Sequence, residues 1–88
     1  MKSRKQQPTP NELTINYWYK EALKFIKKFP LKSESDLNKL ADNVALDACR
    51  DYYGYLGAVP KTKLSATKEL LMNRFKSSNV VKSQIKIK

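Results

Sequence analysis

Residues 33–54, "SESDLNKLADNVALDACRDYYG", decide the fold of this 88-residue chain. At about 100° per residue, Leu37, Leu40, Ala41, Val44, Ala45, Ala48 and Tyr52 form one apolar face of a helix. Leu46, Cys49 and Tyr53 form a second on the opposite side. A helix apolar on two sides is usually buried on two sides. The expected arrangement therefore places it between two other helices. The alternative is a dimer contact through Leu46, Cys49 and Tyr53. Ser33 or Ser35 serves as N-cap, and Glu34 and Asp36 stand favourably against the helix dipole. The helix runs to about Tyr53, and Gly54 suits the left-handed position that follows.

Upstream, "TPNE" is a helix start. Thr9 is placed as N-cap, Pro10 as first helical residue and Glu12 as the return arm of a capping box. The first helix runs over about 10–29 and is stopped by Pro30. Its apolar arc holds Ile15, Trp18, Ala22, Phe25, Ile26 and Phe29, and Lys20, Lys24, Lys27 and Lys28 lie opposite. Tyr17 stands beside Lys20, Lys24 and Lys28, with Leu13 near it and Glu21 at the edge. Downstream, "GYLGAVP" is a turn, followed by a third helix over about 61–76. Its core line is Leu64, Leu71 and Phe75, flanked by Leu70 and Met72. The expected fold is all-α, a compact three-helix domain over 9–76. A flexible basic arm over 1–8 precedes it, and a flexible, disordered basic tail over 77–88 follows. Ile85 and Ile87 alternate with lysines in that tail, but no partner strand exists for them.

The formal charge is +10, from 18 basic and 8 acidic residues. It is unevenly spread. Residues 1–32 hold eight basic and two acidic groups, net +6; residues 33–58 hold two and five, net −3; residues 59–88 hold eight and one, net +7. An acidic helix thus sits between basic segments, and such an excess attracts polyanions. Of the basic residues 15 are lysine, a hydrated point charge better suited to phosphate contact than to base reading.

Catalysis is not expected. There is no histidine, and the one cysteine is Cys49, which excludes an internal disulfide, a Cys/His zinc site and a histidine-dependent triad. Asp47 and Asp51 share a helix face but have no third ligand for a metal. No glycine-rich phosphate loop occurs, and no cofactor is implied. No apolar run approaches a membrane span, and "MKSRKQQPTP" lacks the apolar segment of a signal peptide, so a cytoplasmic setting is expected.

Two functions fit this pattern. The first is nucleic-acid binding, DNA or RNA, mainly through phosphates. Tyr17, Lys20, Lys24, Lys27 and Lys28 would act with Lys61, Lys63, Lys68 and Arg74 of the third helix. A helix-turn-helix version makes "TKLSATKELLMNRFK" the recognition helix, with Lys63, Thr67, Lys68 and Arg74 as contacts. It needs a short turn, hence a third helix starting near Lys61. The second function is a non-catalytic phage- or plasmid-type adaptor or inhibitor that binds an acidic protein surface through Tyr53, Tyr55 and Leu56. A third arrangement, the first helix lying on an anionic membrane, ranks behind both because it needs Trp18, Phe25 and Phe29 free.

Overall fold

Ser33 caps the central helix as expected. Its Oγ accepts a hydrogen bond from the Asp36 backbone N–H at 3.3 Å, and the Asp36 carboxylate accepts one from Lys32 N–H at 2.9 Å. At the other end Gly54 takes the left-handed conformation, φ +79°, where a side chain would be strained. In the computed structural model, which describes residues 9–86, this helix is α2, Glu34–Tyr53. It is joined by α1, Glu12–Lys28, α3, Lys61–Ser77, and a short α4, Asn79–Gln84. The all-α expectation holds, with α2 packed against both α1 and α3. The basic arm expected over 1–8, and Ile87 and Lys88, lie outside the described residues.

α1 begins two residues later than expected. Asn11, not Thr9, is the N-cap, and its Oδ1 accepts from Thr14 N–H at 2.9 Å. Asparagine is the stronger cap of the two, and Glu12 then falls in the first turn, against the positive end of the dipole. The helix ends at Lys28, and its C-cap Phe29, at φ −128° and ψ 79°, lies outside the α region that Pro30 disfavours for the residue before it.

The apolar arc of α1 needs correction. Ile15, Ala22 and Ile26 are buried, but Phe25 is 52% and Phe29 62% exposed. Trp18 is half-buried. Tyr19 and Leu23 pack on the core in their place. The buried face is thus turned by roughly 50°, at 100° per residue, from the arc read off the sequence. The cause is α3. The Tyr19 ring meets Phe75, centroids 5.4 Å apart, and the Arg74 guanidinium lies 5.9 Å from the Tyr19 centroid. α1 rolls toward these contacts and lifts Phe25 and Phe29 out.

The second side of α2 is also accounted for within the chain. Cys49 and Tyr53 are buried beside Tyr52, with Tyr55 and Val59 packed on them. The Cys49 thiol lies 3.3 Å from Thr67 Oγ1, and that hydroxyl donates to Lys63 C=O at 2.7 Å. Of the three residues offered for a dimer contact, Leu46 alone stays half-buried rather than covered.

The tail expected over 77–88 is structured through much of its length. Ser78 breaks the α3 axis, and α4 follows. Val81 and Ile85 are buried in the main core. Gln84 clamps the chain beyond α1. Its Nε2 donates to Ile26 C=O at 3.0 Å and its Oε1 accepts from Leu31 N–H at 2.7 Å. One side chain thus satisfies a helix-end carbonyl and the N–H of buried Leu31, groups that would otherwise need water or a cap.

Candidate nucleic-acid interface

The outer face of α1 is built by subtraction. The core takes Ile15, Tyr19, Ala22, Leu23 and Ile26, and at 100° per residue the opposite side carries Leu13, Tyr17, Lys20, Lys24, Lys27 and Lys28. All six are exposed. The four lysines span about 12 Å of helix at 1.5 Å per residue. Glu21, at the edge, pairs with Lys24 at 3.3 Å; both are solvated, so the pair contributes little. Lys27 and Lys28 fall in the last turn, where cations are favoured by the dipole.

Tyr17, 54% exposed, is not loose decoration. Its ring meets Trp18 edge-on, centroids 5.1 Å apart. Trp18 in turn donates from Nε1 to the Asp51 carboxylate at 2.9 Å. The tyrosine is thereby held on the ridge between the lysine face and a cleft lined by Trp18, Asp47, Arg50 and Asp51.

The α3 cations are placed differently. Lys63 Nζ lies 4.5 Å from the Tyr53 ring centroid. Lys68 pairs with Asp42 at 3.1 Å. Arg74 hydrogen-bonds Asn16 and stands 3.9 Å from Glu12. These three are engaged in holding α3 to α1 and α2, which a sequence scan for basic residues does not separate from free charge. Lys61 is exposed at the start of α3. α3 does start at Lys61, as the recognition-helix version requires, but Thr67 is wholly buried against Cys49 and cannot reach a base. Residues 54–60 also make a longer connection than that motif's turn.

α4 adds what the pattern over 77–88 concealed. The Gln84 clamp ties α4 to the chain at the end of α1, and Lys82 and Lys86, two residues to either side of Gln84, are exposed. The alternation of apolar residues and lysines over 79–86 gave no sign of this, because Val81 lies on α4 and Ile85 caps it in extended backbone, and both are fixed by the core.

The aromatic turn is mostly internal. Tyr53 is buried, its ring against Tyr52 and Tyr55 at 4.9 and 5.7 Å, and Tyr55 is half-buried. Leu56 is fully exposed. Burial pushes the Tyr53 hydroxyl up to about 12, with Cys49, Tyr52 and Tyr55 adding to it. Burial likewise pushes the Cys49 thiol up, against smaller opposing effects of the Thr67 hydrogen bond and the Lys63 charge.

Among the described residues no group of three or more histidine, cysteine or carboxylate side chains could hold a metal, and no helix is long and apolar enough to cross a membrane. Comparison with protein families, curated proteins and solved structures finds no match to this chain, so its geometry and charge are the guide to its function.

Proposed function

We propose that this domain binds nucleic acid through phosphate contacts from the outer face of α1. The observation that carries the proposal is the division of labour among the cations. Lys63, Lys68 and Arg74 are engaged by groups on neighbouring helices, whereas Lys20, Lys24, Lys27 and Lys28 are gathered on one solvent face, where Lys24 pairs with Glu21 of its own helix. A surface lysine face without such a role usually alternates charge signs along its length. Here one carboxylate, Glu21, stands at the margin. Lys82 and Lys86, exposed on either side of the Gln84 clamp, add further positive charge. Tyr17, fixed by Trp18, offers a ring on which an unpaired base can stack. Lysine without arginine on this face favours backbone attraction over base reading, so affinity depends on salt and little on sequence.

The test is titration against single- and double-stranded oligonucleotides at several salt concentrations. Four phosphate contacts give a log–log salt slope of about −3.6 on duplex and about −2.8 on single strands. Replacing Lys20, Lys24 and Lys28 with glutamate should leave the helical spectrum intact and flatten the slope by about 0.7–0.9 per lost contact. Tyr17→Ala should preserve the slope and weaken single-strand binding by about 1–3 kcal/mol if a base stacks on the ring. A triple variant that folds and binds every oligonucleotide as the parent does would refute the proposal. If the parent binds none, the adaptor function takes its place, with Leu56 as the exposed residue of its turn.

A further inference from the structure

We infer that the groove between α1 and α2 is a docking site for a basic amphipathic helix of a partner protein. This groove lies on a different face of α1 from the lysines. Its floor is Ala22, Leu40 and Val44, its walls are Trp18 and Phe25, and its volume is about 220 Å³. That is smaller than the roughly 300 Å³ and more of a typical small-molecule site, and it suits an inserted side chain. Phe25 stacks on Phe29, ring centroids 5.1 Å apart, and both are more than half exposed. From Trp18 to Phe29 the aromatic edge runs about 16 Å, three turns of helix at 1.5 Å per residue. An amphipathic helix presents anchors over such a length at i, i+3 or i+4, and i+7.

Charge names the partner's chemistry. The chain is strongly basic, yet this groove is bordered by Glu21 and Asp47, and the adjoining cleft by Asp47 and Asp51. Arg50 also lines the adjoining cleft, but its guanidinium is engaged, Nε and Nη2 donating to Gly57 C=O at 3.3 and 3.2 Å, and it is absent from the lining of the groove itself. Carboxylates beside exposed aromatic rings receive Lys or Arg, by ion pairing and by cation–π contact. The same carboxylates disfavour an anionic lipid surface. They also disfavour two copies meeting groove to groove, which would face like charges. A basic helix with an apolar stripe satisfies both halves of the site.

The probe is a synthetic helical peptide of about four turns, leucine on one face and lysine elsewhere, titrated into the full chain. Trp18 is the single tryptophan and lines the groove, so its emission reports occupancy directly. The expected result is saturable 1:1 binding with a blue shift of Trp18, and no binding of the matching leucine/glutamate peptide. Phe25→Ala should weaken the lysine peptide about tenfold or more, as for a residue filling the centre of an interface. Phe25 is half exposed, so circular dichroism should show this variant folded. Glu21→Gln with Asp47→Asn, at the rim, provides a second variant independent of packing and should weaken the peptide without weakening nucleic-acid binding, since it removes only negative charge.

Several results overturn the inference. They are no saturable binding below about 100 µM, where the interaction would be weaker than about −5.5 kcal/mol, equal binding of the glutamate peptide, and parental affinity in both variants. A Trp18 shift on vesicles of mixed phosphatidylserine and phosphatidylcholine, lost in Phe25→Ala, would assign the groove to membrane instead. A Trp18 shift with protein concentration alone would assign it to a second copy. A shift on replacing Lys2, Arg4 and Lys5 with glutamine would assign it to the chain's own N-terminal residues.

Discussion

Gln84→Ala is the most searching test of the architecture. The side chain makes two hydrogen bonds, to Ile26 C=O and Leu31 N–H, and holds α4 against the turn between α1 and α2. Each bond contributes about 0.5–1.5 kcal/mol net. Leu31 is buried, so its N–H is poorly placed to recover a water, and a stranded buried donor costs about 1–3 kcal/mol. The Ile26 carbonyl loses its donor too, since Pro30 four residues on has no N–H, but an under-satisfied carbonyl is tolerated better than an orphaned N–H, and its loss is the smaller of the two. The sum is about 2–3 kcal/mol. A domain of this size has a total stability of only about 4–13 kcal/mol, at 0.05–0.15 kcal/mol per residue. At about 4–8 °C per kcal/mol, the melting temperature should fall by about 8–24 °C. Thermal melts followed by circular dichroism, with urea titration for ΔG, measure it. If α4 were a solvated tail, Gln84→Ala would melt with the parent, and that result would refute the clamp. Val81→Ala separates the clamp from the rest of α4, because it keeps both hydrogen bonds and loses only buried apolar surface.

The remaining predictions concern packing and pH. Phe75→Ala should cost about 3–5 kcal/mol, since the ring is wholly buried, whereas Phe25→Ala should cost about 1 kcal/mol or less because much of its ring already meets water; urea titration of both compares them. Cys49 should resist a thiol reagent such as dithionitrobenzoate in the folded protein and react at the rate of opening, because it is buried and its thiol is held protonated. Cys49 and Tyr53 both hold their protons more tightly in the folded chain than in the unfolded one. Their contribution to stability is therefore full below the unfolded values and is lost as pH rises through the folded ones. Urea midpoints should decline at alkaline pH, and Tyr53→Phe should remove the part of the decline that falls between pH 10 and about 12.

α2 was legible because its signals are local. Ser33, Asp36 and Gly54 act on backbone groups within four residues of themselves, and its buried positions recur at the helical period. α1 was legible as a helix but not in its orientation. Ile15, Trp18, Tyr19, Ala22, Leu23, Phe25, Ile26 and Phe29 cover about half its circumference, more than the core can take. The choice among them is made by Phe75 and Arg74, some fifty residues away in the chain. α4 was illegible as a helix. Six residues with two valines form no stable helix alone, and what holds them is tertiary. The lysine face of α1 could be read from spacing, since opposition to a core is a matter of period. The commitment of Lys63, Lys68 and Arg74 could not. A lysine bound to a distant carboxylate or ring has the same local sequence as one awaiting a phosphate.

The contact between Gln84 and the turn after α1 also has a consequence in time. The bonded groups are 53 and 58 positions apart in the chain. A ribosome adds about 5–20 residues per second, so Ile26 and Leu31 wait about 3–12 s after synthesis before Gln84 exists. Throughout that interval α1 and α2 lack the segment that seals their junction, and the core positions filled by Val81 and Ile85 stand open. The domain is thus completed from its later-made end. A chain stalled or cleaved after α3 would carry every long helix and still present an unsealed apolar face to chaperones and proteases. The last short helix is thus what covers that face once the segment over 79–85 has been made.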